Sequence, residues 1–256
     1  MLAVISPAKT LDFETPLRIS KHTAPEFTEQ ASTLNRILRR KSAAELGALM
    51  HISDKLATLN AERFRDWVKE PDETQARAAV LAFMGDVYTG LDARSLKTTE
   101  LDYAQKHLRI LSGLYGVLRP LDWIQPYRLE MGTQLGAPKA PTLYRFWGQL
   151  PTDSLNAQAR ALKTRYLVNL ASQEYFGAVD SNALEPTVIT PVFKDWSKDR
   201  YKVISFHAKR ARGLMARFMI QQRAKKPADL EGFNAEGYAF ARELSSALEL
   251  VFTRRQ

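Results

Sequence analysis

Short apolar runs along the chain predict buried strands. The run LAVIS near the start is closed by Pro7 and is too short for a useful helix, so it favours a strand. Further runs of this kind are YLVNLA, TVITPVF, YKVISF and ELVF, which begin at positions 166, 187, 201 and 249. The polar turn at 197–199 predicts a hairpin. The run AVLAFMGDVYTGL, from 79 to 91, predicts another strand, broken by Gly85 and closed near Gly90.

Other segments space their apolar residues at helical intervals, namely 23–40, 53–67 and 100–112. The second of these is expected to share one apolar face made of Leu56, Leu59, Phe64 and Trp67. Ser42 with Glu45 three residues later forms a capping-box pattern, which marks another helix start, and Ser53 is a suitable N-cap for the helix that follows it.

Strands and helices are mixed along the chain without a repeat or a long linker. This predicts a mixed α/β (α+β) fold in a single domain over 1–256, with a mixed sheet and surrounding helices. There is no run of 18 apolar residues and no basic leader, so we expect a cytoplasmic protein with no membrane anchor, acting as a monomer. The chain lacks cysteine and its four histidines have no metal-ligand spacing, so neither a cofactor nor a metal site is predicted.

Positive charge is concentrated in one part of the chain. Residues 200–228, called the basic segment here, contain nine Lys and Arg and no acid, which equals the formal net charge of +9. A helix over 207–223 would place Ala211, Leu214, Met215 and Phe218 on one side and Lys209, Arg210, Arg212, Arg217 and Arg223 on the other. Such a cationic face suits a phosphate backbone. A solvated face neutralised by carboxylates from elsewhere is the alternative.

A pair of glycines follows the segment predicted to be helical at 100–112. Gly113 and Gly116 lie in SGLYGVLRP, and a second helix beginning near Pro120 would make a helix-hairpin-helix-like element over about 101–125. Such a turn presents backbone N–H groups to phosphate, and Arg119 and Arg128 lie nearby. An ordinary glycine C-cap explains Gly113 equally well.

Two further polar clusters leave their role open. Ser6, Lys9 and Thr10 follow the first strand, where open sheets present ligand-binding loops, but the glycines of a phosphate loop are missing. A strand-to-loop turn explains them as well. Asp86, Glu130 and Glu174 are candidate metal ligands or general bases, although their spacing does not require either role.

Several long blocks of the sequence resemble the YaaA family of bacterial peroxide stress proteins. They are ISPAKTLDF, ISDKLATLNAERFRDW, LAFMGDVYTGL, LRILSGLYGVLRPLDWIQPYRLEMG, VNLASQEYF and SFHAKRARGLMARF. The resemblance runs from Met1 to about Phe252. It implies a link to the hydrogen peroxide response with lower free iron and less oxidative DNA damage. It also implies a DNA-binding protein of mixed α/β fold with a positively charged cleft and a helix-hairpin-helix element.

Carried over to this sequence, the resemblance places the hairpin at Gly113 and Gly116. It assigns the cleft to Lys9, Lys55, Arg128, Lys209, Arg210 and Arg212. The glycine spacing and Pro120 depart from the common wording of such hairpins.

The sequence therefore leaves competing functions. The first is a DNA-binding protein that reads backbone and shape, and that limits iron-dependent oxidative damage. The second is an enzyme acting on a nucleotide or phosphorylated small molecule, in which Lys9, Lys55 and Arg128 hold the anion while Asp86, Glu130 or Glu174 move protons. An iron-binding regulator is the third. Cations along one open groove favour DNA, whereas cations converging with the carboxylates on a pocket favour the enzyme.

Overall fold

A computed structural model describes residues 1–17, 19–136 and 140–255. The strands are β1 (Leu2–Ile5), β2 (Thr10–Leu11), β3 (Arg77–Ala78), β4 (Phe83–Met84), β5 (Leu108–Ser112), β6 (Gly116–Leu118), β7 (Trp123–Ile124), β8 (Tyr166–Leu170), β9 (Thr187–Ser197), β10 (Arg200–Lys202), β11 (Ala239–Phe240) and β12 (Glu249–Arg254). The helices are α1 (Thr28–Leu38), α2 (Ala43–Met50), α3 (Asp54–Asp66), α4 (Ala79–Ala82), α5 (Asp86–Leu91), α6 (Thr98–His107), α7 (Leu143–Trp147), α8 (Leu150–Ala161), α9 (Gln173–Phe176) and α10 (Ser205–Gln222).

A mixed sheet of eight strands forms the centre of the fold, in the order β11-β12-β9-β8-β1-β5-β6, with β10 paired to the end of β9. The strands β12, β9, β8, β1 and β5 are mutually parallel, whereas β6, β10 and β11 are antiparallel to their neighbours. Read from β5 to β12, the parallel strands follow the chain order 2-1-3-4-5. In such sheets ligands bind beyond the carboxyl ends of the strands where the order reverses, which is here between β1 and β8. We call this place the switch point.

The central strand β1 is buried along its whole length, because it lies between β5 and β8. A strand inside a parallel sheet that is covered by other elements reads as a continuous apolar run, and LAVI has that form. The prediction of a mixed α/β domain is therefore confirmed. Strands predicted at the runs of β1, β8, β9 and β12 are confirmed, and β9 and β10 form the predicted hairpin.

Two glycines allow α5 and α10 to touch backbone to backbone. A Cβ atom added at Gly213 would lie 1.8 Å from the carbonyl oxygen of Val87, and one at Gly90 would lie 2.2 Å from that of Arg210. Both distances are far below any real carbon–oxygen contact, and backbone cannot move aside cheaply. The contact fixes the first turn of α5 relative to the cationic side chains of α10.

The segment at 79–91 differs from its predicted strand. It forms the helical turn α4, the two-residue strand β4 and then the helix α5. The apolar residues of the run are buried by other elements rather than by a long strand pairing, and β4 pairs only with β2. A short apolar run does not distinguish a buried strand from a buried helix.

Residues 101–125 do not form the predicted helix-hairpin-helix-like element, so that prediction is wrong. Helix α6 ends at His107, and β5 and β6 follow it as antiparallel strands on either side of the turn at 113–115. A Cβ atom at Gly113 would lie 2.3 Å from the carbonyl oxygen of Leu129, and one at Gly116, where φ is +66°, would meet the Trp147 ring at 2.7 Å. Both glycines are therefore explained by close packing. Among the described residues no helix is long and apolar enough to cross a membrane.

Candidate functional site

A pocket of about 390 Å³ lies at the switch point. Its walls come from the loop after β1, the start of α5, the loop after β8 and one side of α10. Its lining residues are Ser6, Pro7, Ala8, Lys9, Thr10, Gly85, Asp86, Val87, Tyr88, Glu130, Leu170, Ser172, Glu174, Tyr175, Lys209 and Arg212. We call it the switch-point pocket.

The loops after β1 and β8 are tied together at the floor of the switch-point pocket. The backbone N–H of Ser172 donates to Ser6 Oγ at 2.9 Å, and the two hydroxyl oxygens lie 3.3 Å apart. Tyr88 donates its hydroxyl to the carbonyl oxygen of Ser6 at 3.0 Å. Burial raises the pKa of the Tyr88 phenol, so it stays protonated and keeps donating. These bonds give the pocket a fixed floor.

The carboxylates of the pocket differ in their partners. Glu130 lies between two cations, with Lys9 Nζ 2.7 Å from Oε2 and Arg128 Nη2 3.1 Å from Oε1. Glu174 Oε1 accepts the backbone N–H of Gly132 at 3.0 Å, and within the described part of the chain it forms no ion pair. Glu174 is therefore a fixed carboxylate whose charge no cation neutralises directly.

Two cations of α10 enter the same pocket. Lys209 is exposed, Arg212 is half-buried, and neither forms an ion pair or side-chain hydrogen bond within 1–17, 19–136 and 140–255. Burial lowers the pKa of the Arg212 guanidinium, which nevertheless stays charged at neutral pH. Buried and half-buried charges in proteins are normally paired. Arg212 therefore leaves unused donors directed at the pocket.

The structure brings together some of the predicted site residues and separates others. Lys9, Lys209 and Arg212 line the switch-point pocket together with the three predicted carboxylates Asp86, Glu130 and Glu174, and Arg128 adjoins it through Glu130. Lys55 lies exposed on α3, outside this pocket. The alternative of neutralisation by carboxylates from elsewhere holds for Arg210 and Arg217 of the basic segment, which pair with Glu236 and Asp92.

Three predicted cations have structural partners. Arg210 donates to Glu236 at 2.8 Å, which holds the pKa of that carboxyl below its ordinary value. Arg217 donates to the carbonyl oxygens of Leu91 and Asp92. Arg119 is bound to the buried Asp122 and to the carbonyl oxygen of Ala24.

Sequence reasoning missed Tyr88, Ser172 and Tyr175 in the switch-point pocket. A usable signal for Ser172 is its place directly after a predicted strand, as for Ser6. It predicted the helices α2 and α3 but not their close pairing, in which residues 51–53 alone join them and His51 lies in the left-handed region at φ 52°. The signal for this pairing is the short distance in sequence between the two predicted helices. Within the described ranges, no three His, Cys, Asp or Glu side chains are grouped to hold a metal ion.

The fold and the site define an open α/β protein with a polar pocket at the reversal of its strand order. Residues 1–244 match the family model described as peroxide stress protein YaaA. A UPF0246 protein of Ralstonia nicotianae is 56% identical over 255 residues, covering 100% of this chain and 99% of the relative. One from Paraburkholderia xenovorans is 54% identical over 257 residues, with the same coverage. The chain belongs to the peroxide stress protein YaaA family.

Proposed function

We propose that this member of the peroxide stress family is an enzyme that acts on a nucleotide or phosphorylated small molecule in the switch-point pocket. The observation that supports this most strongly is Arg212, a half-buried guanidinium with no protein partner among the described residues, beside the free Lys209. A phosphate group between them would supply the missing acceptors. A volume of about 390 Å³ fits small-ligand sites, which range over roughly 300–1,000 Å³.

The carboxylates give the pocket a means of moving protons. Glu174 is held by the Gly132 N–H and pairs with no cation of the described residues, so it is the candidate general base. Glu130 is paired with Lys9 and Arg128 and is assigned to positioning Lys9. Cations that converge with carboxylates on one pocket favour a small phosphate ligand over a duplex at this place.

The test is a binding titration against nucleoside mono-, di- and triphosphates and sugar phosphates, followed by product analysis. Lys209→Gln should weaken binding of the ligand found by about tenfold, equivalent to about 1.4 kcal/mol. Glu174→Gln should bind it but not convert it. Lys55→Gln removes an exposed lysine outside the pocket and is the matched control. Equal weakening in Lys209→Gln and Lys55→Gln, or no binding across the panel, would reject the proposal.

DNA binding is the second candidate function, and the helix pair α2–α3 favours it. The two helices pack closely at Gly47, where a Cβ atom would lie 3.4 Å from the Ala57 Cβ, in van der Waals contact. Ser53 makes no side-chain cap hydrogen bond, so the first N–H groups of α3 keep their donors free, next to the exposed Lys55. A helix hairpin with these features suits a phosphate backbone.

The unpaired cations of the basic segment also favour DNA binding. Seven of its nine cations form no ion pair within the described ranges: Arg200, Lys202, Lys209, Arg212, Arg223, Lys225 and Lys226. Backbone contacts by such flexible cations predict little sequence preference.

Bound to DNA, the protein would limit iron-dependent oxidative damage there. One copy of the chain carries all these elements, which supports a monomeric functional unit.

Titration against duplex, junction and single-stranded DNA over a salt series tests this second function. With roughly 4–6 phosphate contacts, log affinity for duplex should fall with log salt at a slope of about −4 to −5. Lys55→Gln should reduce that slope by about one for all sequences alike. Lys97→Gln, which removes an exposed lysine before α6, is the control. A flat salt response would exclude backbone binding.

A further inference from the structure

A second polar cavity, of about 550 Å³, lies at the opposite end of the sheet from the switch-point pocket. It is bounded by the amino ends of β1 and β8 and by the carboxyl-terminal ends of α6 and α10. The side chains that matter for its chemistry are Tyr103, His107, Lys163, Arg165, Arg223 and Lys225. We call it the amino-end cavity. The four residues of β1 separate it from the switch-point pocket by about 13 Å.

The charge of the amino-end cavity has one sign. Lys163, Arg165, Arg223 and Lys225 line it, and no Asp or Glu among the described residues does. Within the described part of the chain none of these four cations forms an ion pair. One carboxylate lies beside them, because Asp229 Oδ2 accepts the backbone N–H groups of Lys225 at 2.8 Å and Lys226 at 3.1 Å. A single carboxylate leaves an excess of positive charge, which attracts an anion that enters the cavity.

The negative ends of helix dipoles stabilise only two of these four cations. Lys163 follows Leu162, the C-cap of α8, and Arg223 is the C-cap of α10, so each lies close to the negative end of a helix. Arg165 and Lys225 lie beyond the last helical turns, where that effect has faded. All four cations are exposed, so water solvates them, and their charge is available to an anion that enters the cavity.

The backbone also places long cations where small residues are usual. Lys163 has φ 50° and Arg223 has φ 51°, in the left-handed region that glycine and asparagine favour after helices. Arg223 is further held over the Tyr103 ring at 5.7 Å, and that ring is stacked on His107 with centroids 3.8 Å apart. The wall of the cavity is thus ordered on its aromatic side.

We propose that the amino-end cavity is a separate binding site for a small ligand that carries two or more phosphate groups. Lys163 and Arg165 bind it from the loop before β8, and Arg223 and Lys225 bind it from the end of α10. Cations on two opposed segments match two linked phosphates better than one. The ligand is either a nucleoside polyphosphate or an inorganic polyphosphate, which share this chemistry.

The test uses the full chain carrying Lys9→Gln and Lys209→Gln, which removes two cations of the switch-point pocket. Pyrophosphate is titrated by calorimetry, and amide resonances are followed by NMR. We expect shifts confined to 162–166 and 223–225. Adding Lys163→Gln with Arg165→Gln should raise the Kd for pyrophosphate at least about tenfold. The matched control is Lys198→Gln with Arg200→Gln, which removes the same charge from the exposed β9–β10 turn.

The results separate the alternatives. Equal weakening by both pairs of substitutions would show a general charge effect and overturn the proposal. Shifts elsewhere, or binding of oligonucleotides without binding of pyrophosphate, would overturn it as well. Tighter binding of ADP than of pyrophosphate would support it with a nucleotide as the ligand, and tighter binding of tripolyphosphate than of ADP would support it with an inorganic polyphosphate.

Discussion

Asp12 shows how this fold stabilises a single ionised group. Its Oδ1 atom accepts the backbone N–H groups of Thr15 at 2.9 Å and Glu14 at 3.0 Å. Its Oδ2 atom accepts a hydrogen bond from Arg94 at 2.6 Å. These bonds, led by that from Thr15, lower the pKa of Asp12 to about 2. The side chain is 11% exposed, so water screens the interactions only partly.

The pH dependence of stability follows from that pKa. A lowered folded-state pKa adds stability that is complete above the ordinary value near 4 and is lost as pH falls toward 2, and here it amounts to about 2 kcal/mol. We predict that Asp12→Asn lowers the free energy of unfolding by up to about 2 kcal/mol at pH 7. At pH 3 the difference from wild type should be about half as large. Urea titrations at both pH values measure this, and a difference independent of pH would contradict it.

At the scale of single elements, periodicity predicted the helix α1 well and the β5–β6 pair badly. In α1 the apolar positions Ala31, Leu34 and Leu38 are all fully buried. In 100–112 the same helical spacing continues from Leu101 through Leu111, yet the chain turns from helix to strand at Leu108. Burial on every side explains the difference, because all five residues of β5 are buried and no polar face marks the period.

The helix α10 was predicted in place but with an incomplete apolar face. Ala211 and Met215 are buried as expected, whereas Leu214 and Phe218 are only half-buried. The face turned toward α5 includes Gly213, whose role is to let backbones meet. A hydrophobicity pattern cannot register a glycine used in this way. The pattern also placed Arg212 on the outer face because it is charged. In the structure Arg212 borders the switch-point pocket and is half-buried.

At the scale of the whole molecule, the candidate site could be predicted only as separate pieces. Lys9 and Glu130 were both identified from the sequence, but their contact joins segments about 120 residues apart. The parallel pairing of β1 with β8 joins segments still farther apart, since Leu2 pairs with Leu167. Such pairings are set by how all the elements fill the core together, and local pattern carries no information on them.

The carboxyl-terminal strand is joined to the same sheet by a buried ion pair. Arg254, 5% exposed, donates from Nε to Asp195 at 2.7 Å, and it pairs with that residue in the parallel β12–β9 register. Tyr238 donates its hydroxyl to the other oxygen of Asp195 at 2.9 Å. Burial, reinforced by Asp195, raises the pKa of the Tyr238 phenol and keeps it a donor.

Because the sheet is continuous from β6 to β11, breaking this pair should weaken the whole molecule. We predict that Arg254→Met lowers stability by about 3–5 kcal/mol, since Asp195 then stays buried without its cation. In a protein of this size that is a fall in Tm of roughly 10 °C, still within one cooperative transition. Arg242→Met removes an exposed partner of Glu231 and should cost less than about 1 kcal/mol. Two separate melting transitions in Arg254→Met would mean that β9 and β12 unfold independently of β1. Equal Tm values for the two variants would mean that the buried ion pair does not stabilise the sheet.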